Sequence, residues 1–294
     1  GLGDVYKRQV LGVYIGTIVL LNIPNIQQAM SVFVAEELSE VLNTKVVIGR
    51  INMGLLNRII IDDVLLDDQS GQEMLKVTRL SAKFDIMPFF KGKISISSVQ
   101  LFGFNINLWK ETPDSPPNFK FVLDAFASKD TVKKENSLDL RINSILIRRG
   151  RMSYHVLSEQ ETPGKFNAKH IQLQNIIANI SLKALSKDSL NLGIKRLSLD
   201  EKASGFSLKK MSLKLVANNK QTNIDNFTIE LPETSLKLDT IHLEYDSLKA
   251  FDRFTEQVHF SFRTLPSQVT LKDISPFVPI LSHFKEPVTL DMEV

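Results

Sequence analysis

From Lys45 onward one spacing recurs along the chain: apolar, any residue, apolar, two mostly polar residues, apolar, any residue, apolar. It reads Ile59, Ile61, Val64, Leu66, then Leu75, Val77, Leu80, Ala82, then Ile94, Ile96, Val99, Leu101. It returns as Leu140, Ile142, Ile145, Ile147, as Ile171, Leu173, Ile176, Ala178, and as Leu192, Ile194, Leu197, Leu199. Phe206, Leu208, Met211, Leu213 follow, then Ile224, Phe227, Ile229 with Thr222 in the first slot, and finally Leu236, Leu238, Ile241, Leu243. A period of two belongs to strands with one apolar face. The step of three in the middle would throw the second apolar pair onto the other face of a flat strand. Either a β-bulge absorbs one residue and keeps all four side chains together, or a turn separates two short strands. The inserted pairs, among them Asp62-Asp63, Thr78-Arg79, Lys195-Arg196 and Asp225-Asn226, seldom contain Gly, which favours bulges in long strands.

Short turn signals at residues 67–71, 202–205, 218–219 and 232–233 separate the copies, so consecutive strands pair antiparallel. The fold expected is mainly β: a long, twisted antiparallel meander forming a curled sheet or groove with an apolar concave face, capped by an N-terminal amphipathic helix. Helical signals are few. Residues 26–42 place Ile26, Met30, Phe33, Val34, Leu38, Val41 and Leu42 at helical spacing behind Pro24, with Asn43 closing the helix. A short turn at residues 87–90, a helix within 118–128 after a Pro-rich stretch, and a loop or short helix at 276–284 complete the set. So little helix cannot hide a long apolar sheet face, which must close into a barrel, stack as a sandwich, or form a trough holding something apolar.

The domain reading follows. Residues 1–9 are similar to the in-frame translation of a sequencing-library adapter and are set aside from fold reasoning. Residues 10–23 carry no charge and read as a membrane anchor cut short, residues 24–43 as the amphipathic helix, and residues 44–294 as the β domain with an insertion at 112–137. Both ends are expected to lie inside a longer protein.

Composition excludes several functions. Lys and Arg number 36 against 33 Asp and Glu, a formal charge of +3, which is too small for the basic footprint of nucleic-acid binding. With no Cys, there is no disulfide, thiolate metal site, Cys nucleophile or lipidated Cys. His155, His170, His242, His259 and His283 stand singly, without metal-ligand spacing, and most are expected to face solvent; no metal or cofactor is expected. Asp62, Asp63, Asp67 and Asp68 lack the spacing of a calcium loop and read as turn and bulge residues. Lys209-Lys210 and Lys133-Lys134 read as a hydrated face. No nucleotide, dinucleotide or hydrolase motif occurs, and no enzyme is expected.

Residues 45–111 combine a G-x-I strand at 49–51, an I-x-x-V-x-L-x-D strand at 61–68, a D-I-x-P turn at 85–88 and a K-G-K-I-x-I-x-x-V-x-L-x-G-x-x-I-x-L strand at 91–108. Together with the preceding apolar segment and helix, this set resembles the AsmA-like envelope proteins, including the TamB family, which are similar in architecture to chorein-type bridge proteins. The resemblance implies a protein anchored by a single pass in the bacterial inner membrane, with its bulk in the periplasm. It also implies a hydrophobic β-groove that carries phospholipids toward the outer membrane, lined by the apolar positions of the strand copies named above. Its expected partners are membrane phospholipids, the inner membrane and an outer-membrane β-barrel protein. Two rival readings remain: an assembly factor that pairs its sheet edges with nascent outer-membrane strands, and a structural sandwich with a sealed core.

Overall fold

A computed structural model describes residues 2–54, 57–85, 94–127, 138–139, 143–185 and 189–293. The fold is mainly β, an antiparallel meander entered through helices, and it divides into two compact units, Gly1–Ile142 and Asn143–Val294. The boundary falls inside the stretch read from sequence as one β domain. The turn expected at residues 87–90 and the apolar positions Leu140 and Ile142 lie outside the described residues.

The first unit opens with helix α1 (Leu2–Leu21), which already begins before the apolar run at Val10. Its Val10, Val13, Ile15, Val19 and Leu20 are exposed. Among the described residues no single helix is long and apolar enough to cross a membrane; α1 and α2 qualify only as a pair bent by 73°. Helix α2 (Pro24–Leu42) starts with Pro24 in its first turn, where a missing N–H costs nothing. It ends where Asn43 turns left-handed at φ 48° and returns its N–H to the last carbonyls, as the Asn suggests. Met30, Val34, Ala35 and Leu38 pack inward, together with buried Leu42. Phe33 and Val41, expected on that stripe, are instead 63% and 40% exposed. The inner stripe is rotated toward Gln27 and Ser31, both buried. Ser31 Oγ donates to the Gln27 carbonyl at 2.8 Å, and Gln27 Nε2 reaches Asn52 Oδ1 at 2.6 Å, so neither polar group is left unpaired.

Four strands follow: β1 (Val46–Gly54), β2 (Arg58–Asp67), β3 (Glu73–Phe84) and β4 (Ile94–Lys110), each antiparallel to the last. Helix α3 (Lys120–Ala127) and a two-residue strand β5 (Leu138–Asp139), parallel to β4, complete the unit. The second unit runs through β6 (Ser144–Val156), β7 (His170–Leu185), β8 (Ser189–Glu201), β9 (Ser207–Asn218), β10 (Gln221–Glu230) and β11 (Ser235–Tyr245). β11 pairs along its length with β12 (Val258–Thr264) and at Ser235 with β13 (Ser267–Val269), which pairs with β14 (Val288–Leu290). Among the described residues, the first and last strands of neither unit pair with each other, so neither closes into a barrel. The second unit also has, among the described residues, no second sheet to make a sandwich.

The step of three is handled differently in the two units. In the second, most ladders slip by one residue at the inserted pairs: between Gly150 and Met152, opposite Gln174-Asn175, between Ile194 and Leu197, and between Asp225 and Thr228; β10 and β11, whose pairs Asp225-Asn226 and Asp239-Thr240 lie at one level, cross without a slip. The slips are the bulges expected from the spacing. In the first unit the preference for bulges fails over most of the ladder. Ile48 pairs with Val64 and Ile51 with Ile61, then Val64 with Val77 and Ile61 with Leu80, then Val77 with Phe104 and Leu80 with Leu101, all without a slip. Gly49-Arg50, Asp62-Asp63, Thr78-Arg79 and Phe102-Gly103 lie at one level, so neighbours step together there and none has a surplus residue. Asp63 at φ 56° and Gly103 at φ 65° supply the left-handed backbone that turns the chain over. A Cβ on Gly103 would stand 2.7 Å from Thr78 Oγ1, and one on Gly49 2.9 Å from the Asp63 Cβ, so both seam edges need glycine. Register slips occur between Leu66 and Asp67, next to the β2–β3 turn, and at the Ser97-Ser98 pair, opposite Lys83 and Phe84.

Candidate functional site: an apolar sheet face

Partners across a ladder share a face, so the registers assemble the repeated apolar positions into rows. In the first unit these are Val46–Leu66–Leu75–Ile106, Ile48–Val64–Val77–Phe104, Ile51–Ile61–Leu80–Leu101 and Met53–Ile59–Ala82–Val99, with Phe84 against Ile96 beyond them. Ile48 and Ile51, on opposite sides of the seam, belong to one cluster with Leu66, Ile59, Ile61 and Leu75, so the odd step does not change face. That cluster is covered: Met30, Val34 and Leu38 of α2 and Phe121, Val122 and Ala125 of α3 pack on it.

In the second unit one row runs Leu182–Leu192–Leu215–Ile224–Ile241–Phe262 over six strands. Another runs Ile147–Ala178–Leu197–Met211–Ile229–Leu236, and Ile145–Ile180–Ile194–Leu213, Leu199–Leu208 and Phe227–Leu238 fill the space around them. Leu243 continues the face against Phe260. Of these, only Ala178 and Leu208 are buried; the aliphatic side chains of β8 to β11 are otherwise half-buried. Among the described residues no long helix packs on them. The side chain of Ile94 lies outside what the structure describes.

Aromatic rings stand at both ends of this second face. Phe277 lies 4.8 Å from the Phe166 ring and 5.0 Å from the Phe206 ring, near the β8–β9 turn. At the other end Tyr245, Phe251, Phe254, Phe260 and Phe262 stack in sequence with centroids 4.8 to 6.3 Å apart. Phe251, Phe254 and Phe260 are 38–46% exposed. Tyr245 is buried, its hydroxyl donating to the Asn218 carbonyl at 2.7 Å.

Three buried carboxylates fix the strands that carry the rows. Asp62 sits at the seam between Arg79, at 2.6 Å, and Arg50, at 3.4 Å. Burial alone would raise its pKa, but the hydrogen bond and charge of Arg79, then of Arg50, hold it below the ordinary carboxylate value. Asp68 accepts from Ser70 Oγ and N–H, Gln72 N–H, Trp109 Nε1 and Asn118 Nδ2, closing the β2–β3 turn and tying it to β4. Glu201 does the same for the β8–β9 turn, accepting from Ser204 Oγ and N–H and from Gln172 N–H. For both, burial pushes the pKa up and these bonds outweigh it. Turn and seam roles therefore account for Asp62, Asp63 and Asp68. Lys210 pairs with Glu230 at 3.5 Å and Lys209 donates to the Pro232 carbonyl, while Lys133 and Lys134 lie outside the described residues.

Two of the histidines do not stand singly, as their spacing leads one to expect, nor fully face solvent. β6 and β7 pair His155 with His170, Nδ1 to Nδ1 at 3.0 Å, and His170 is buried. Hairpin register hid this, because the two are 15 residues apart in sequence. Spacing also missed several members of the apolar rows. Val46, Ile48, Ile51 and Met53 are a further copy of the pattern, split around Gly49-Arg50, and Leu182, Leu215 and Phe262 simply extend the alternation past the eight-residue unit. The sequence matches no protein-family model, and comparison with curated proteins finds no match.

Proposed function

We propose that the chain is an inner-membrane-anchored periplasmic protein of the AsmA/TamB-like kind, whose uncovered sheet face carries phospholipid acyl chains between the inner and outer membranes. The observation that supports this most is the row of half-buried apolar residues from Leu182 to Phe262, crossing six strands with no long helix over it among the described residues. An acyl chain loses about 0.8 kcal/mol per CH2 exposed to water, so a lipid cannot cross an aqueous gap quickly unless its tails are shielded. Contacts with Leu, Ile and Phe are non-directional and let the tails slide, and the headgroup stays in water. The apolar, exposed α1 and the resemblance over residues 45–111 agree with a membrane-tethered origin for the cargo.

The test is photo-crosslinking in cells from Leu192, Ile224 and Leu238, with Lys214 on the opposite face as control. Phospholipid adducts at the first three and none at Lys214 are expected. Adducts to nascent outer-membrane protein without lipid would move the assignment to strand assembly. No adduct of either kind would leave a structural sheet.

A further inference from the structure

The end of the β6–β7 hairpin carries side chains that the lipid reading does not use. Tyr154 pairs with Ile171 on the apolar side of the ladder, so the next rung, His155 and His170, faces the other way. His170 is 7% exposed, and its Nε2 lies 2.9 Å from the Glu159 carbonyl oxygen. A carbonyl cannot donate, so neutral His170 keeps its proton on Nε2 and turns the lone pair of Nδ1 toward His155. The loop between the strands then brings back Glu161, whose carboxylate is 4.0 Å from His155 Nδ1. One ligating atom from each of the three side chains lies within 4.8 Å of the others.

We propose that His155, His170 and Glu161 bind a divalent transition-metal ion of the zinc class. Two imidazoles and a carboxylate are a donor set suited to such ions. An ion about 2.0–2.1 Å from both Nδ1 atoms, which are 3.0 Å apart, subtends roughly 94° between them, between the octahedral and tetrahedral values. Glu161 is exposed and free to swing the remaining ~1 Å. The Glu159 carbonyl is the outer acceptor that fixes the ligating tautomer. The carboxylate of Glu159 is engaged by Lys169 at 2.7 Å, which leaves Glu161 as the acidic ligand. Three protein ligands leave coordination positions for water. The ion acts as a staple, holding the loop of residues 157–169 against the end of the hairpin, and it adds to the stability of the second unit by mass action.

The test is calorimetric titration of the metal-stripped full chain with Zn2+, paralleled by Co2+ absorption and by thermal unfolding with and without Zn2+. One equivalent of Zn2+, a Co2+ d–d band and a raised Tm are expected. Glu161→Gln, at an exposed position, weakens uptake about tenfold or more, and His155→Gln abolishes it, with far-UV circular dichroism unchanged in both. If the wild-type chain takes up no ion, the two histidines only share a hydrogen bond. That result, or uptake that either substitution leaves unchanged, overturns the proposal.

Discussion

The two units carry the same row-forming pattern and dispose of it differently. On β1 and β2 the apolar rows lie under α2 and α3, and Val46, Ile48, Ile51 and Leu66 are buried. On β8 to β11 the same kinds of side chain in the same kind of row, Leu208 apart, stay half-buried. A sheet needs one apolar face to hold its strands in register, but it needs a second layer only if that face must be dry. The second unit gains part of its burial from neighbours within the rows, from the aromatic stacks at its ends and from turns locked by Glu201. Its face therefore keeps its register without a long helix over it among the described residues.

The sharpest way to break this contrast is truncation at matched positions. Ile51→Ala, in the covered cluster, is expected to cost about 2–5 kcal/mol, the range for large-to-small changes in a packed core. Ile241→Ala, in the uncovered row, is expected to cost about 1 kcal/mol, since the side chain already meets solvent in the folded state. Denaturant titrations of each variant read the difference. Equal costs would mean that something covers the second face as thoroughly as α2 covers the first.

Acid should affect both units through one turn-locking carboxylate each. Asp68 and Glu201 both have folded-state pKa values below their unfolded values. The stability each contributes is complete above the ordinary carboxylate pKa and is lost as pH falls through the lowered one. Asp68→Asn and Glu201→Gln remove the charged acceptor and should each cost about 2 kcal/mol near neutral pH, with the penalty fading in acid. Urea titrations at neutral and acid pH, followed by Trp109 fluorescence and by backbone circular dichroism, read both. A penalty that persists unchanged at low pH would show that charge is not the cause.

Much of this architecture was legible from spacing alone. The apolar positions of the pattern name the faces, and the turns at residues 67–71 and 202–205 fall where Ser and Gly follow a carboxylate, because local chemistry decides them. What spacing could not carry was pairing. Whether a step of three becomes a bulge depends on whether the neighbouring strand steps at the same level, which is a property of two strands. The meeting of His155 and His170 is likewise fixed by the β6–β7 register, and Phe33 left the inner stripe of α2 because buried Gln27 and Ser31 find partners on their own helix and on Asn52.

The smallest expected effects separate the two ways of taking that odd step. In the in-register seam, Gly103 combines a left-handed backbone with a close approach to Thr78, so Gly103→Ala adds strain and a clash and should cost about 1–3 kcal/mol. Thr78→Ala should recover part of that loss by removing Oγ1, which a double-mutant cycle measures. In the bulged ladder, Asn226 holds φ 53° with an exposed side chain, and Asn tolerates that conformation nearly as well as Gly. Asn226→Gly should therefore change stability by no more than about 0.5 kcal/mol. Asn226→Val, which cannot adopt the left-handed region without strain, should cost more than the Gly substitution. If Val were as well tolerated as Gly, the β9–β10 ladder would not be held in its bulged register, and the face it carries would not be a single one.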